Sequence, residues 1–194
     1  KYILYQLEQI NTKERYSNNI KLDMISFIKS SLMILDYSKE NLFHIKNFPR
    51  ISCMLPVCIE PPLFQQLVER KREIVFLGSI SPYRKKVLSI LKESFNIRII
   101  DNEYGDNLRE ILATCRLAIN INYDKKSLYD IVNFCEIIPF GITIISERPT
   151  ICLEYLEKYY SDNVVFVDNI LSWSSCNLIR KYLDNPYQNL NINY

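Results

Sequence analysis

The stretch Ile74–Lys86, I-V-F-L-G-S-I-S-P-Y-R-K-K, decides the fold. Its four leading apolar residues predict a strand over Ile74–Leu77, buried on both faces as strands of parallel sheets are. Gly78-Ser79 ends the strand. Ser81-Pro82 then opens a helix, because Ser is a favoured N-cap and Pro suits the first helical position. Strand, tight turn and capped helix form the first half of a βαβ unit. The pattern recurs downstream. Strands are predicted at Ile97–Ile100, Leu117–Ile121, Ile142–Ile145 and Val164–Val167. Helices are predicted at Asp106–Cys115, Leu128–Ile137, Thr150–Lys158 and Ile170–Leu183. Such alternation implies an α/β domain with a doubly wound parallel sheet of about five strands.

Upstream the pattern is shorter. Lys1–Leu7 and Leu32–Asp36 predict strands, and Ile51–Ile59 predicts a third, interrupted by Pro56. Ile20, Met24, Phe27 and Ile28 recur at helical spacing, so Asn19–Ser31 predicts an amphipathic helix. Ser38 caps another that runs to about Asn47. Pro61-Pro62 is the clearest linker signal. The chain therefore divides into a partial N-terminal α/β lobe, 1–60, and a C-terminal Rossmann-like lobe, 61–194. The first is too short for a complete Rossmann lobe, and Lys1 already lies in a strand-like run. A fragment of a longer protein, or a reduced protein, is the expectation.

Composition removes several classes of function. The 194 residues include only three glycines, Gly78, Gly105 and Gly141, where average usage gives roughly fourteen. No window can hold a GxGxxG fingerprint or a Walker A loop. The net charge is +2, and the one dense basic cluster, Arg70, Lys71 and Arg72, is flanked by Glu69 and Glu73. Nucleic acid is not an expected partner, since it draws strongly basic domains. The longest apolar runs, such as Ile137–Ile145, are broken by Pro or Gly and too short to span a bilayer. No signal peptide is visible, and a cytoplasmic location is expected. The six cysteines form no CxxC pair, and the single histidine, His44, completes no zinc cluster. They read as small buried hydrophobes in a reducing compartment, and His44 as a structural histidine. No metal site is expected.

In doubly wound sheets, ligands bind outside the carboxyl ends of the strands. That rule selects Gly78, Ser79, Asp101, Asn122, Tyr123, Ser146, Glu147 and Asp168, with Glu8 and Gln9 from the first segment. A glycine at a strand end permits a tight turn and close approach of a ligand. The helix that follows offers unpaired N–H groups to an anion, and Arg84 carries a fork of donors suited to a diphosphate. The same residues also make an ordinary βα turn. Glu136, five residues before Gly141, reads either as an acceptor for both ribose hydroxyls or as a solvated helix residue. Glu8 reads as a general base or as a turn carboxylate.

Six motifs follow in order: Y-Q-L-E-Q (Tyr5–Gln9), L-D-Y-S-x-x-N (Leu35–Asn41), L-P-V-x-I-x-P (Leu55–Pro61), F-L-G-S-x-x-x-Y-R (Phe76–Arg84), N-I-N-Y (Asn120–Tyr123) and F-C-E-I-I-P-F-G-I-T-I-I-S-E (Phe134–Glu147). Together they resemble glycosyltransferases of the GT-B type, the small bacterial and viral ones above all, over roughly Tyr2–Val167. The resemblance implies a metal-independent enzyme that moves a sugar from a nucleotide-sugar donor to a glycan or other hydroxyl acceptor. It needs no cofactor beyond the donor as substrate. By that resemblance Gly78, Ser79 and Arg84 face the donor phosphates, Tyr83 is a further donor-site residue and Glu136 holds the ribose. Phe140 and Gly141 lie near the sugar. Asn122, Tyr123 and Glu147 complete the donor site, and Glu8 is the catalytic candidate. Asn133 stands where such families often carry a basic residue, and Asn122 where a His is common. A non-catalytic binding or assembly module of the same fold is the alternative.

Overall fold

The computed structural model describes residues 2–6, 26–36, 38, 41–42, 51–54, 70–124, 130–149 and 154–184. The chain forms two compact units, Lys1–Cys58 and Ile59–Tyr194. The first holds strands β1 (Ile3–Gln6), β2 (Met33–Asp36) and β3 (Ile51–Met54), all parallel in the order β1-β2-β3. Residues 26–30 are helical. From them Ile28 packs on Ile34 of β2, with Leu4 and Leu42 against the pair. At the end of β2, buried Asp36 accepts from the Ser38 N–H at 2.8 Å and from Asn41 Nδ2 at 3.1 Å. This fixes the exit of the chain into the following helical turn. Pro56, Pro61, Pro62 and His44 lie outside the described residues.

The second unit is the α/β domain that Ile74–Lys86 predicts. Its strands are β4 (Lys71–Leu77), β5 (Ile97–Ile100), β6 (Cys115–Asn120), β7 (Thr143–Glu147) and β8 (Val164–Val167). Its helices are α1 (Pro82–Leu91), α2 (Gly105–Thr114), α3 (Ile131–Ile137), α4 (Glu154–Tyr160) and α5 (Trp173–Asp184). All five strands are parallel, in the order β5-β4-β6-β7-β8. This is a Rossmann-like sheet flanked by helices. Its strand order reverses between β4 and β6, and that reversal is where such sheets take ligands.

Side chains alternate across the sheet and sort the core. Ile74, Phe76, Leu117, Ile119, Ile121 and Ile145 meet Val87, Leu88 and Leu91 of α1 and Ile179, Tyr182 and Leu183 of α5. On the other face the Phe134 ring of α3 packs edge-on against Tyr160 of α4, centroids 5.7 Å apart, and against Phe166 of β8. Each fully buried Ile, Leu or Phe contributes about 1.5–3 kcal/mol. Cys115 and Cys135 are buried and Cys176 is half-buried, all free thiols. Burial, reinforced by Glu73, pushes the Cys115 thiol up to about 11. Among the described residues, no helix is long and apolar enough to cross a membrane.

Several boundaries move for physical reasons. β4 begins at Lys71, three residues early, because a sheet can extend through exposed Lys71 and Arg72 where one end is wet. The cluster Arg70, Lys71 and Arg72 belongs to the structure here. Arg70 donates to the carbonyls of Phe140 and Gly141, and Arg72 pairs with Asp184 at 2.7 Å. β6 begins at Cys115 directly from the end of α2, with no connecting residue.

Candidate functional site

At the end of β4 the chain turns through Gly78, whose φ is +125°, a value side chains rarely tolerate. A Cβ there would lie 3.2 Å from Arg84 Nη1 and 3.3 Å from Asn133 Nδ2. Glycine is favoured by its φ, and a Cβ would in addition press on both neighbours. Ser79 follows, exposed. Ser81 caps α1: its hydroxyl accepts from the Arg84 N–H at 3.1 Å and donates to the Tyr123 carbonyl at 2.6 Å. One side chain thereby satisfies a helix end and ties it to the loop after β6.

Arg84 lies beneath this turn, 3% exposed. Nε donates to the Ile121 carbonyl at 2.8 Å and Nη1 to the Ser79 carbonyl at 3.0 Å. Nη2 reaches Asp130 Oδ2 at 3.1 Å. The guanidinium also sits 5.2 Å from the Phe76 ring centroid and 5.4 Å from that of Tyr123. The fork expected to face donor phosphates is engaged in joining β4, β6 and the start of α3. Its charge still lies directly under Gly78.

Glu147, the last residue of β7, is 4% exposed. Its carboxylate accepts from the Tyr83 hydroxyl at 2.8 Å and from the Asn122 N–H at 3.0 Å, and also from the Ile170 N–H. Burial pushes the Glu147 carboxyl above the usual range. The three donors and nearby Arg84 pull it down without overcoming burial. Burial and the Glu147 carboxylate in turn raise the Tyr83 hydroxyl well above its ordinary value. The Asn122 side chain donates to the Arg148 carbonyl at 3.1 Å. Below it, buried Asn120 donates to Ser146 at 3.0 Å. Arg148 itself bridges Glu157, at 2.7 Å, and Asp168.

The carboxyl edge therefore gathers Gly78, Ser79, Tyr83, Arg84, Asn122, Tyr123 and Glu147. Asn133 belongs with them, since its amide donates to the Leu77 carbonyl at 3.1 Å. Glu136 stands one turn on from Asn133, three residues along α3, so the two are neighbours on the helix surface. It is exposed and makes no hydrogen bond or ion pair among the described residues. Phe140 and Gly141 are not part of this edge. Gly141, with φ 63°, precedes β7, and both carbonyls are held by Arg70, which precedes β4. In a parallel sheet this turn sits at the amino edge, the far side from Gly78. The expectation that it lies near a sugar at the Gly78 turn is corrected: α3 carries the chain from one edge to the other. Glu8 lies outside the described residues. Asp130, Ile170 and Arg70 carry site or frame contacts that sequence reasoning missed. Asp130 lies inside the predicted helix Leu128–Ile137, so no local signal marks it as the partner of Arg84. Among the described residues, no three His, Cys, Asp or Glu side chains are placed to hold a metal ion.

Compared with models of known protein families and with curated protein sequences, the chain finds no match.

Proposed function

We propose that the second unit binds a nucleotide sugar at the carboxyl edge of its sheet. On this reading the chain is a metal-independent GT-B-type glycosyltransferase acting on a glycan or other hydroxyl acceptor. The carrying observation is Gly78. It leaves bare backbone at the β4/β6 reversal, above the Arg84 charge and against Asn133, one helical turn before the exposed Glu136. A diphosphate on that backbone would meet the positive end of α1. Arg84 contributes potential from beneath rather than a fork of direct bonds. On this reading Glu136 accepts the ribose hydroxyls, its carboxylate being acceptor-only when ionised. As the acceptor hydroxyl attacks the anomeric carbon, charge grows on the leaving diphosphate. Fixed dipoles aimed there lower the barrier.

The engagement of Arg84 favours a second reading, a binding module without catalysis, because its fork is spent on Ile121, Ser79 and Asp130 rather than on a leaving group. The two readings part in a transfer assay, since both require donor binding. Binding is tested by thermal unfolding with UDP-, GDP- and TDP-sugars. A ligand at 100 times its Kd stabilises by about 2.7 kcal/mol, or about 5–10 °C for a chain of this size. No shift with any of them sinks both readings.

A further inference from the structure

We infer that Glu147 is a positioning residue: its buried carboxylate clasps three separate segments of the ligand-binding edge and holds them in register without touching the ligand. The first segment is the opening turn of α1, through the Tyr83 hydroxyl at 2.8 Å. The second is the chain leaving β6, through the Asn122 N–H at 3.0 Å. The third is the loop between β8 and α5, through the Ile170 N–H. These three segments have no common backbone ladder at this height, since β4, β6 and β8 have all ended. A carboxylate suits the task because it accepts several bonds at once and donates none.

The surroundings leave the carboxylate no other use. It is 4% exposed, so a ligand on the rim cannot reach it without breaking the clasp. The Asn122–Tyr123 segment is gripped a second time, by Ser81 on the Tyr123 carbonyl and by the Asn122 side chain on the Arg148 carbonyl. Breaking the Glu147 bonds therefore loosens the rim without unfolding the strands beneath it. Preorganised rims bind more tightly, because the ligand does not have to order them.

This inference rests on the nucleotide-sugar reading for its ligand, and the experiment separates the two. UDP, GDP and TDP are titrated by calorimetry into the wild type, Glu147→Ala, Glu147→Gln and Tyr83→Phe, well below each variant's unfolding temperature. Amide exchange at Asn122 and Ile170 is followed by NMR in the same chains without ligand. Glu147→Ala is expected to weaken binding tenfold or more and to speed both amides at least tenfold. Glu147→Gln keeps a carbonyl for Asn122 and an amide that donates to the Tyr83 oxygen, so binding should stay within about threefold of the wild type. Tyr83→Phe, which spares the amide bonds, should weaken binding about threefold or more and covers the case in which the alanine variant fails to fold. Equal affinity in wild type and Glu147→Ala overturns the inference. So does Glu147→Gln losing as much as Glu147→Ala, because the charge would then be meeting the ligand itself. If the wild type binds no nucleotide, the proposed function fails and amide exchange alone decides the clasp. Unchanged exchange in Glu147→Ala then overturns it.

Discussion

Replacing Arg84 by Met tests whether this guanidinium is a frame element or an open binding group. Met keeps a long unbranched stem and removes every donor. Ile121 is buried, so its carbonyl loses its Arg84 partner, at a cost of about 1–3 kcal/mol. Ser79 is exposed and its carbonyl can turn to water, so that loss is smaller, about 0.5–1 kcal/mol. Asp130 is 28% exposed, which screens the ion pair and limits its share to about 1 kcal/mol. The contacts with Phe76 and Tyr123 add about 1 kcal/mol. Together the loss is about 3.5–6 kcal/mol, at or slightly above the range found when one partner of a buried pair is removed. With a urea m-value of about 2 kcal/mol/M, the midpoint followed by circular dichroism falls by about 1.8–3 M. Arg84→Lys should fall between the two, because an ammonium cannot span three acceptors set out for a fork. A midpoint change under 0.5 M for Arg84→Met would refute the burial and bonding described for this side chain.

Two further outcomes are expected. Gly78→Ala places a Cβ at φ +125° against Arg84 and Asn133, and should cost at least about 2 kcal/mol. Gly105→Ala, at φ +60° with open space around it, should cost about 1 kcal/mol, so equal midpoints for the two variants would contradict the crowding at Gly78. Glu147 holds its proton more tightly when folded than when unfolded. Its contribution is therefore full below the ordinary glutamate value of about 4.3 and is lost as pH rises through the raised folded value. Glu147→Gln does not titrate, so its stability relative to wild type should rise from pH 4 to pH 8. Urea midpoints that differ by a constant amount across that range would contradict it.

Local signals located the frame and long-range ones did not. Ile97–Ile100 and Val164–Val167 are read to the residue because turns bound them sharply, and α1 is found by Ser81 and Pro82. The burial of Arg84 was not legible, since its partners Ile121 and Asp130 lie 37 and 46 residues away. In sequence Arg84 stands beside Lys85 and Lys86 and looks like part of a basic helix face. The Phe140–Gly141 turn misleads for the opposite reason. Gly141 is eight residues from Asn133 and six from Glu147 in the chain, yet α3 and β7 each carry the chain from one edge to the other. Residues close in sequence thus fall on opposite edges. Asn133, noted only as a departure from a basic residue, turns out to bond the end of β4 beside Gly78.

The central claim is that a nucleotide sugar sits on the Gly78 backbone with its ribose on Glu136. Its most direct test is a calorimetric titration of the UDP-, GDP- and TDP-sugars into the wild-type chain and into Glu136→Ala. Because Glu136 is exposed and makes no hydrogen bond or ion pair among the described residues, the substitution should leave stability within about 0.5 kcal/mol. The account predicts that one donor binds the wild type and that Glu136→Ala weakens it at least tenfold. A donor that binds both chains equally, or no donor binding at all, would contradict it.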